Sequence, residues 1–297
     1  MGERPLLLAV PNFSEGAAGA TLDAVSAALT GGGLHLLDLH LDPDHGRSVF
    51  SLAGRQGKVA PALAAAAASA ARHIDLTHHS GLHPHAGALD VAPVVYIAPE
   101  DRGAARAEAL TAAGLIGEEA GLPVFLYGEL ATAPERRERA ALRAGGPARL
   151  AERIASGGLR PDYGPARAHP TAGAVLVTAR PPLVAVNVDL EVEDPHVARV
   201  IAAELRESGG GPHGVRAMGL YLAARGRAQV SMNIHDLRRA PVAELVRRIL
   251  AQAPVAEIEF VGLVPRVALE GLDELGVPLR DFDRSRRVIE DVLRAEA

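Results

Sequence analysis

The chain has 297 residues, 48% of them hydrophobic, which predicts two domains or one domain with two lobes. Its 31 basic and 36 acidic residues are interspersed and leave a formal net charge of −5, so a nucleic-acid-binding face is not expected. The absence of cysteine excludes disulfides, thiolate metal sites and cysteine nucleophiles.

The first half of the chain predicts strands and helices in the order β-α-β-β-α-β. A short apolar run stops at Pro11, which favours a buried strand, and the run is too short for a signal peptide. Helical spacing follows, then two β-rich runs around a turn, an alanine-rich helix and a final strand. In chain order we expect these elements at residues 6–10, 21–30, 34–41, 47–54, 58–73 and 91–98. This order is that of a ferredoxin-like split β-α-β unit.

The second half repeats this order after a connecting region. The connection is expected to hold a helix, a strand, an interrupted helix and turns, at residues 100–120, 124–128, 134–154 and 156–173. The repeat is expected at residues 183–191, 194–208, 215–222, 228–236, 241–252 and 257–264. The predicted fold is α/β (α+β), with two ferredoxin-like βαββαβ lobes, mixed sheets and a cleft between them. We place the domains at residues 1–178 and 179–297.

The sharpest signal in the chain is a cluster of histidines. Eight of the 12 histidines fall between residues 35 and 85, and four of them lie in HHSGLHPH at residues 78–85. Pro84 biases His83 towards an extended backbone, and Gly81 and Gly87 permit tight turns on either side. We expect the loop to hold His83 in a defined orientation. The ordinary imidazole pKa of about 6.5 suits general acid–base catalysis.

Two other interpretations of this loop stay open on the residues alone. Its histidines are also typical of solvated or hydrogen-bonded packing groups. Alternatively, His83 and His85, with His79 or Asp90, have the residue types of a zinc site, although no HExxH spacing is present.

Six segments resemble the ordered signature of the formiminotransferase family and span nearly the whole chain. They are VPNFSEG at 10–16, DHGRSVFSLAG at 44–54, IDLTHHSGLHPHAGALDVAP at 74–93, VFLYGE at 124–129, PDYGP at 161–165 and RGRAQVSMNI at 225–234. An ordered set of this kind is far more specific than a single motif. The two-lobed α/β architecture that the resemblance implies agrees with the repeated element order.

The resemblance implies a folate-dependent transferase that moves a formimino group from N-formiminoglutamate to tetrahydrofolate in histidine degradation. His83 falls on the family's catalytic histidine. Attack by the folate N5 on the amidine carbon releases one proton and the departing glutamate nitrogen needs one, so a single imidazole can shuttle both. The resemblance also implies a homodimer. Because no apolar stretch reaches about 18 residues, we expect no membrane span and a cytoplasmic location.

Both substrates carry carboxylates, because N-formiminoglutamate has two and folate ends in glutamate, so arginine anchors are expected. From the resemblance we assign Asn12, Asp44 and Arg47 to substrate binding. Tetrahydrofolate is assigned to a later segment, at Gly173, Ala174, Thr178, Ala179 and Arg180. On the residues alone, Asn12 also fits a turn, and either arginine also fits a solvated surface.

The turn ahead of Arg47 holds further candidates. Asp42, Asp44 and His45 are available to polarise His83 or to bind substrate. Alternatively, acidic residues in a turn between strands contribute only to the solubility of the protein.

Several positions depart from the family pattern. The family has Glu, Arg and Asn where this chain has Leu82, His85 and Gly46. It also has an acidic segment, a Gly and an Asn at the positions occupied here by Gly145-Gly146-Pro147, Thr178 and Asp189. Because these exchanges remove or swap polar groups, two other functions stay open: a folate- or glutamate-binding relative without catalysis, and a metal-dependent hydrolase.

Overall fold

The computed structural model describes residues 4–296, and the chain divides into two compact units between Pro181 and Pro182. The predicted boundary at residue 178 falls inside a strand that runs on to Arg180, so the connection between the units follows the end of that strand. Within the described residues, no helix combines the length and the apolar character needed to cross a bilayer.

The described part of the first unit is an α/β structure with seven strands and five α-helices. The strands are β1 Leu6–Ala9, β2 Asn12–Phe13, β3 His35–Asp42, β4 Arg47–Arg55, β5 Leu89–Val95, β6 Val124–Leu126 and β7 Val175–Arg180. The helices are α1 Ala20–Gly31, α2 Val59–His73, α3 Arg102–Glu119, α4 Arg139–Arg143 and α5 Gly146–Ala155.

One mixed sheet organises the first unit. Strands β1 and β2 both lie between β4 and β5 and pair antiparallel with them, while β3 forms a hairpin with β4. Pro11, which has no backbone N–H to donate, lies where β1 and β2 are separated. Beyond β5, strands β7 and β6 are added in parallel. The elements β1-α1-β3-β4-α2-β5 therefore have the predicted ferredoxin-like order.

The second unit repeats this order in a smaller form. Its elements are β8 Val184–Leu190, α6 Pro195–Leu205, β9 Val215–Leu222, β10 Arg227–Ile234, α7 Val242–Leu250, β11 Val255–Phe260, α8 Arg284–Arg287 and α9 Ile289–Glu296. The sheet order is β11-β8-β10-β9. Every neighbouring pair is antiparallel, so this sheet, unlike the first, is not mixed. Each unit has a hydrophobic core between its sheet and its helices.

A buried carboxylate caps the start of α2. The two oxygens of Glu108, on α3, accept hydrogen bonds from the backbone N–H groups of Gly57 (2.6 Å) and Ala60 (2.9 Å). A carboxylate suits this position because helix N-termini have unpaired donors and a positive dipole end.

We expect Glu108→Gln to lower the free energy of unfolding by about 1 to 3 kcal/mol, because a neutral amide satisfies these buried donors less well. Chemical denaturation monitored by circular dichroism measures the change. Glu108 lies beyond the Arg55 end of β4, away from the site that forms at the Arg47 end, so substrate turnover by the folded variant should match the parent. Parental stability would contradict the capping role.

Candidate functional site

The candidate site forms where the histidine loop, residues 74–88, packs on the β3–β4 turn. The backbone N–H of His83 donates to the carbonyl of His45 at 3.2 Å, and that of Leu82 donates to the carbonyl of Asp44 at 3.4 Å. Gly46 has φ 62°, and a Cβ added to it would lie 2.6 Å from the Cα of Gly81. The absence of side chains at these two glycines therefore allows the loop and the turn to touch through their backbones.

Backbone bonds also hold the far end of the loop. Ala88 N–H donates to the carbonyl of Ala172 at 2.9 Å, and Ala174 N–H donates to the carbonyl of Ala86 at 3.0 Å. A Cβ on Gly87 would approach the Ala174 carbonyl oxygen to 2.0 Å, so only glycine fits there. The start of the segment predicted to bind folate thus supports the histidine loop.

His83 is half-buried in this loop and surrounded by positive charge. Burial lowers its pKa well below the ordinary value, and the neighbouring charges of Arg47, Arg143, Arg139 and His45 lower it further. No residue in the range 4–296 hydrogen-bonds to either of its ring nitrogens. His83 is therefore a neutral imidazole at pH 7 with a lone pair available to accept a proton.

The other loop histidines face different neighbours. The rings of His79 and His85 lie 4.3 Å apart in an edge-to-face contact, and Nδ1 of His85 lies 3.2 Å from the carbonyl oxygen of His83. Asp90 is bonded to Arg143 and to a backbone N–H. Among residues 4–296, no three donors of the predicted zinc set converge within 4.8 Å of one another.

Arg47 lies at the start of β4, directly after the turn. Its side chain is only 8% exposed, and Nε has no hydrogen-bond partner within the described residues. Burial lowers its pKa to about 10; Asp42 acts in the opposite sense, while Arg143 and Arg139 lower it further. A buried guanidinium with unused donors favours a bound anion, because burying an unpaired charge is costly.

Two arginines that the sequence analysis did not single out complete the site. Arg143, on α4, is bonded through Nε (3.1 Å) and Nη2 to the two oxygens of Asp90, which also accepts the backbone N–H of Ala86 at 2.8 Å. This pair fixes α4 to the histidine loop. Arg139 lies one turn earlier on the same helix face, and burial lowers its pKa.

The positions predicted to bind folate differ in what they offer a ligand. The side chains of Ala174, Thr178 and Ala179 lie in the core, and the Thr178 hydroxyl donates to the carbonyl of Tyr127 at 2.7 Å. Arg180 offers a guanidinium, whose Nη1 donates to the Pro181 carbonyl at 3.0 Å. Burial lowers the pKa of Arg180 to about 10, with Tyr127 opposing this effect and Arg139 adding to it. Through their mutual repulsion, Arg47, Arg139, Arg143 and Arg180 thus form one arginine group.

Asn12 and Asp44, the other two residues predicted to bind substrate, have local contacts of their own. Asn12 donates through Nδ2 to the carbonyl of Val10 at 3.0 Å, so its amide nitrogen holds the break between β1 and β2. Asp44 lies in the turn, and its carbonyl accepts the bond from Leu82. Direct contact of Asn12 or Asp44 with substrate stays a prediction.

Two domains of a known protein family match most of the chain. Residues 6–180 match the formiminotransferase domain, N-terminal subdomain, and residues 185–274 match the formiminotransferase domain. The chain is 37% identical to glutamate formimidoyltransferase of Streptococcus pyogenes serotype M1, an alignment that covers 96% of this chain and 97% of that protein.

Two further relatives differ in how much of their length is matched. Glutamate formimidoyltransferase of Thermoplasma acidophilum is 35% identical over 94% of both chains. Formimidoyltransferase-cyclodeaminase of Sus scrofa is 36% identical over 89% of this chain but only 51% of its own length. These matches, together with the two ferredoxin-like units and the loop around His83, show that the chain belongs to the formiminotransferase family.

Proposed function

We propose that this chain transfers the formimino group of N-formiminoglutamate to tetrahydrofolate, with His83 as the general acid and base. The single observation that carries the proposal is the position of the His83 ring, beside the charges of Arg47, Arg139 and Arg143 and without a hydrogen bond to the ring from the described residues. Transfer needs an unprotonated group that can accept and return a proton, and cations for the substrate carboxylates; His83 and the arginines are suited to these two roles.

The reaction balances with one imidazole. The folate N5 attacks the amidine carbon to form a tetrahedral centre, and His83 removes the proton from N5. The carbon–nitrogen bond to glutamate then breaks as His83 returns this proton to the departing nitrogen. Because burial and, to a smaller extent, the neighbouring arginines lower the pKa of His83, its protonated form gives up the proton readily.

The arginine group supplies the carboxylate anchors in this proposal. Asp90 already pairs with Arg143, whereas Arg47 and Arg139 have no ion pair among the side chains that the structure describes. We assign these two to the carboxylates of N-formiminoglutamate. Arg180 is assigned to the glutamate end of tetrahydrofolate.

Arg139→Leu is expected to raise the KM for N-formiminoglutamate about 10- to 100-fold, because one charge-assisted hydrogen bond to a carboxylate is lost. Steady-state kinetics with each substrate varied in turn measures the effect, and the KM for tetrahydrofolate should change much less. Arg149→Leu is the matched control, since Arg149 forms an exposed pair with Glu152 on α5. Equal KM values for the two variants would contradict the assignment.

The assay for the proposed function follows glutamate release and formiminotetrahydrofolate formation together. Transfer requires both products in equal amounts, and only when both substrates are present. Tetrahydrofolate binding without turnover would favour a relative that has lost catalysis. Glutamate release without folate, dependent on a stoichiometric metal, would favour the hydrolase.

Assembly and location belong to the same proposal. We assign the two units, which divide between Pro181 and Pro182, to the N-terminal and C-terminal formiminotransferase subdomains. We also assign the protein to a homodimer, as the family resemblance implies, and to the cytoplasm. Size-exclusion chromatography with light scattering tests the dimer.

A further inference from the structure

A buried carboxylate–imidazole pair lies directly behind His83. Asp42 and His45 are each only 2% exposed. One carboxylate oxygen of Asp42 accepts the backbone N–H of His45 at 3.0 Å, and the other lies 2.6 Å from Nδ1 of the His45 ring. The 2.6 Å contact falls outside the angles of a hydrogen bond, and neither atom has another partner among the described residues. Two buried acceptor atoms this close repel unless a proton lies between them, so Nδ1 carries the hydrogen.

The protonation state of Asp42 fixes the tautomer of His45. Burial raises the pKa of Asp42, but the hydrogen bonds and charge of His45, with a smaller effect of Arg47, outweigh it and lower the pKa to about 2. Asp42 is therefore a carboxylate that orients His45 with Nδ1–H towards it. The opposite nitrogen, Nε2, is buried and has no hydrogen-bond partner among residues 4–296.

This pair touches His83 through both backbone and ring. The His45 carbonyl accepts the His83 backbone N–H, and the two rings lie 6.5 Å apart with an angle of 61° between them. Gly46 and Gly81 bring the two chains together at the same place. Since His83 has no hydrogen bond to its ring from a described residue, the neighbouring His45 ring is a support for its orientation.

We propose that Asp42 and His45 form a buried dyad that positions His83 and sets its charge state during proton transfer. The proposal rests on the function proposed above. His45 acts through His83 and does not need to touch substrate, so it is a positioning residue. A buried nitrogen without a hydrogen-bond partner, such as Nε2 of His45, lowers stability. We explain its retention by a functional role: the dyad holds His83, the proton-transferring residue, in place.

The groups that face the dyad and His83 set the sign of a pH effect. His83 is surrounded by Arg47 from β4, Arg139 and Arg143 from α4, and His45 from the turn. A ring nitrogen of His40, on β3, lies within 4.8 Å of an Asp42 carboxylate oxygen. Burial is the largest cause of the low pKa of His83, and the His45 ring packs beside it, so a replacement that lets water reach His83 should raise that pKa.

Histidine NMR on the full chain tests the dyad without relying on turnover. In the parent, His45 should show the Nδ1–H tautomer, and His45→Gln should move the titration of His83 to higher pH. His83→Gln identifies the resonance. An Nε2–H tautomer of His45 in the parent, or a His83 titration that is unchanged in His45→Gln, would overturn the proposal.

Kinetics provides the second arm. Asp42→Asn and His45→Gln should each lower kcat about 10- to 100-fold with KM unchanged, the usual loss when the partner of a functional histidine is removed. In His45→Gln, the acid limb of the kcat/KM profile should also move to higher pH, because His83 is then protonated sooner as pH falls. A purely structural role would not move this limb.

Glu108→Gln is the matched control, because it also removes a buried carboxylate that accepts backbone N–H bonds, but at the opposite end of β4. Losses in kcat no larger than in this control would overturn the proposal. If Asp42→Asn fails to fold, His45→Gln carries the test, since the backbone N–H of residue 45 still binds Asp42. A parent without turnover would refute the proposed function, while the NMR result would still decide whether the dyad exists.

Discussion

Replacement of His83 by Ala is expected to lower kcat about 10²- to 10⁴-fold, the range typical of a positioned acid–base group. The reason is that both proton transfers then rely on water. Single-turnover rates measure the loss. Tetrahydrofolate affinity should stay close to the parental value, because Arg180, the cationic anchor assigned to its glutamate end, is retained.

His85→Ala is the control for this prediction. His85 is two residues away, but its ring packs against His79 while the ring of His83 faces His45. The two histidines therefore have different surroundings, and removal of His85 should affect turnover much less. Parental turnover in His83→Ala, or a larger loss in His85→Ala, would show that the proton-transfer residue is wrongly assigned.

Replacement of Arg143 by Leu is expected to lower the free energy of unfolding by about 3 to 5 kcal/mol, because the buried Asp90 loses its counter-charge. In a domain of this size, such a loss lowers the Tm by about 6 to 20 °C. Differential scanning calorimetry measures it. The loop should loosen as well, because Asp90 also holds the backbone of Ala86.

Arg139→Leu offers a matched comparison on the same helix. Arg139 is half-buried and has no ion pair among the described side chains, so its removal takes away an uncompensated charge and should leave the Tm unchanged or raised. The two substitutions should therefore have different effects. Arg143→Leu should lower stability, whereas Arg139→Leu should lower the affinity for N-formiminoglutamate. Equal losses of Tm at both positions would contradict the distinction between a paired and an unpaired arginine.

Element order could be predicted from the sequence because each ferredoxin-like unit has strong local periodicity. The alanines throughout α2 predict a helix, and the alternating apolar residues in β10 predict a strand; in each case a short stretch of sequence is sufficient. Strand β2 was missed because it has two residues and follows Pro11. Strand β7 is not predicted, because its apolar residues lie in the segment that the family resemblance assigns to tetrahydrofolate binding.

The candidate site divides in the same way. His83 and Arg47 could be found because the loop and the turn are contiguous motifs. Arg139 and Arg143 could not, because α4 reaches the loop only through Asp90, which is 53 residues from Arg143 in sequence. A run of arginines in a short helix otherwise resembles a solvated surface.

The departures from the family pattern now have partial explanations. Gly46 lies against Gly81, where a Cβ would collide with backbone, so a side chain there would require the loop to shift. Leu82 is 47% exposed, and nothing in the structure explains its replacement of an acidic residue.

The most direct test of the proposed reaction is a single-turnover experiment with N-formiminoglutamate labelled with ¹³C in the formimino carbon, in excess enzyme and tetrahydrofolate. The account predicts that the label moves to tetrahydrofolate as an equal amount of glutamate appears, and that both products form about 10²- to 10⁴-fold more slowly in His83→Ala. It would be contradicted by bound tetrahydrofolate that never acquires the label, or by glutamate released while the label goes to water.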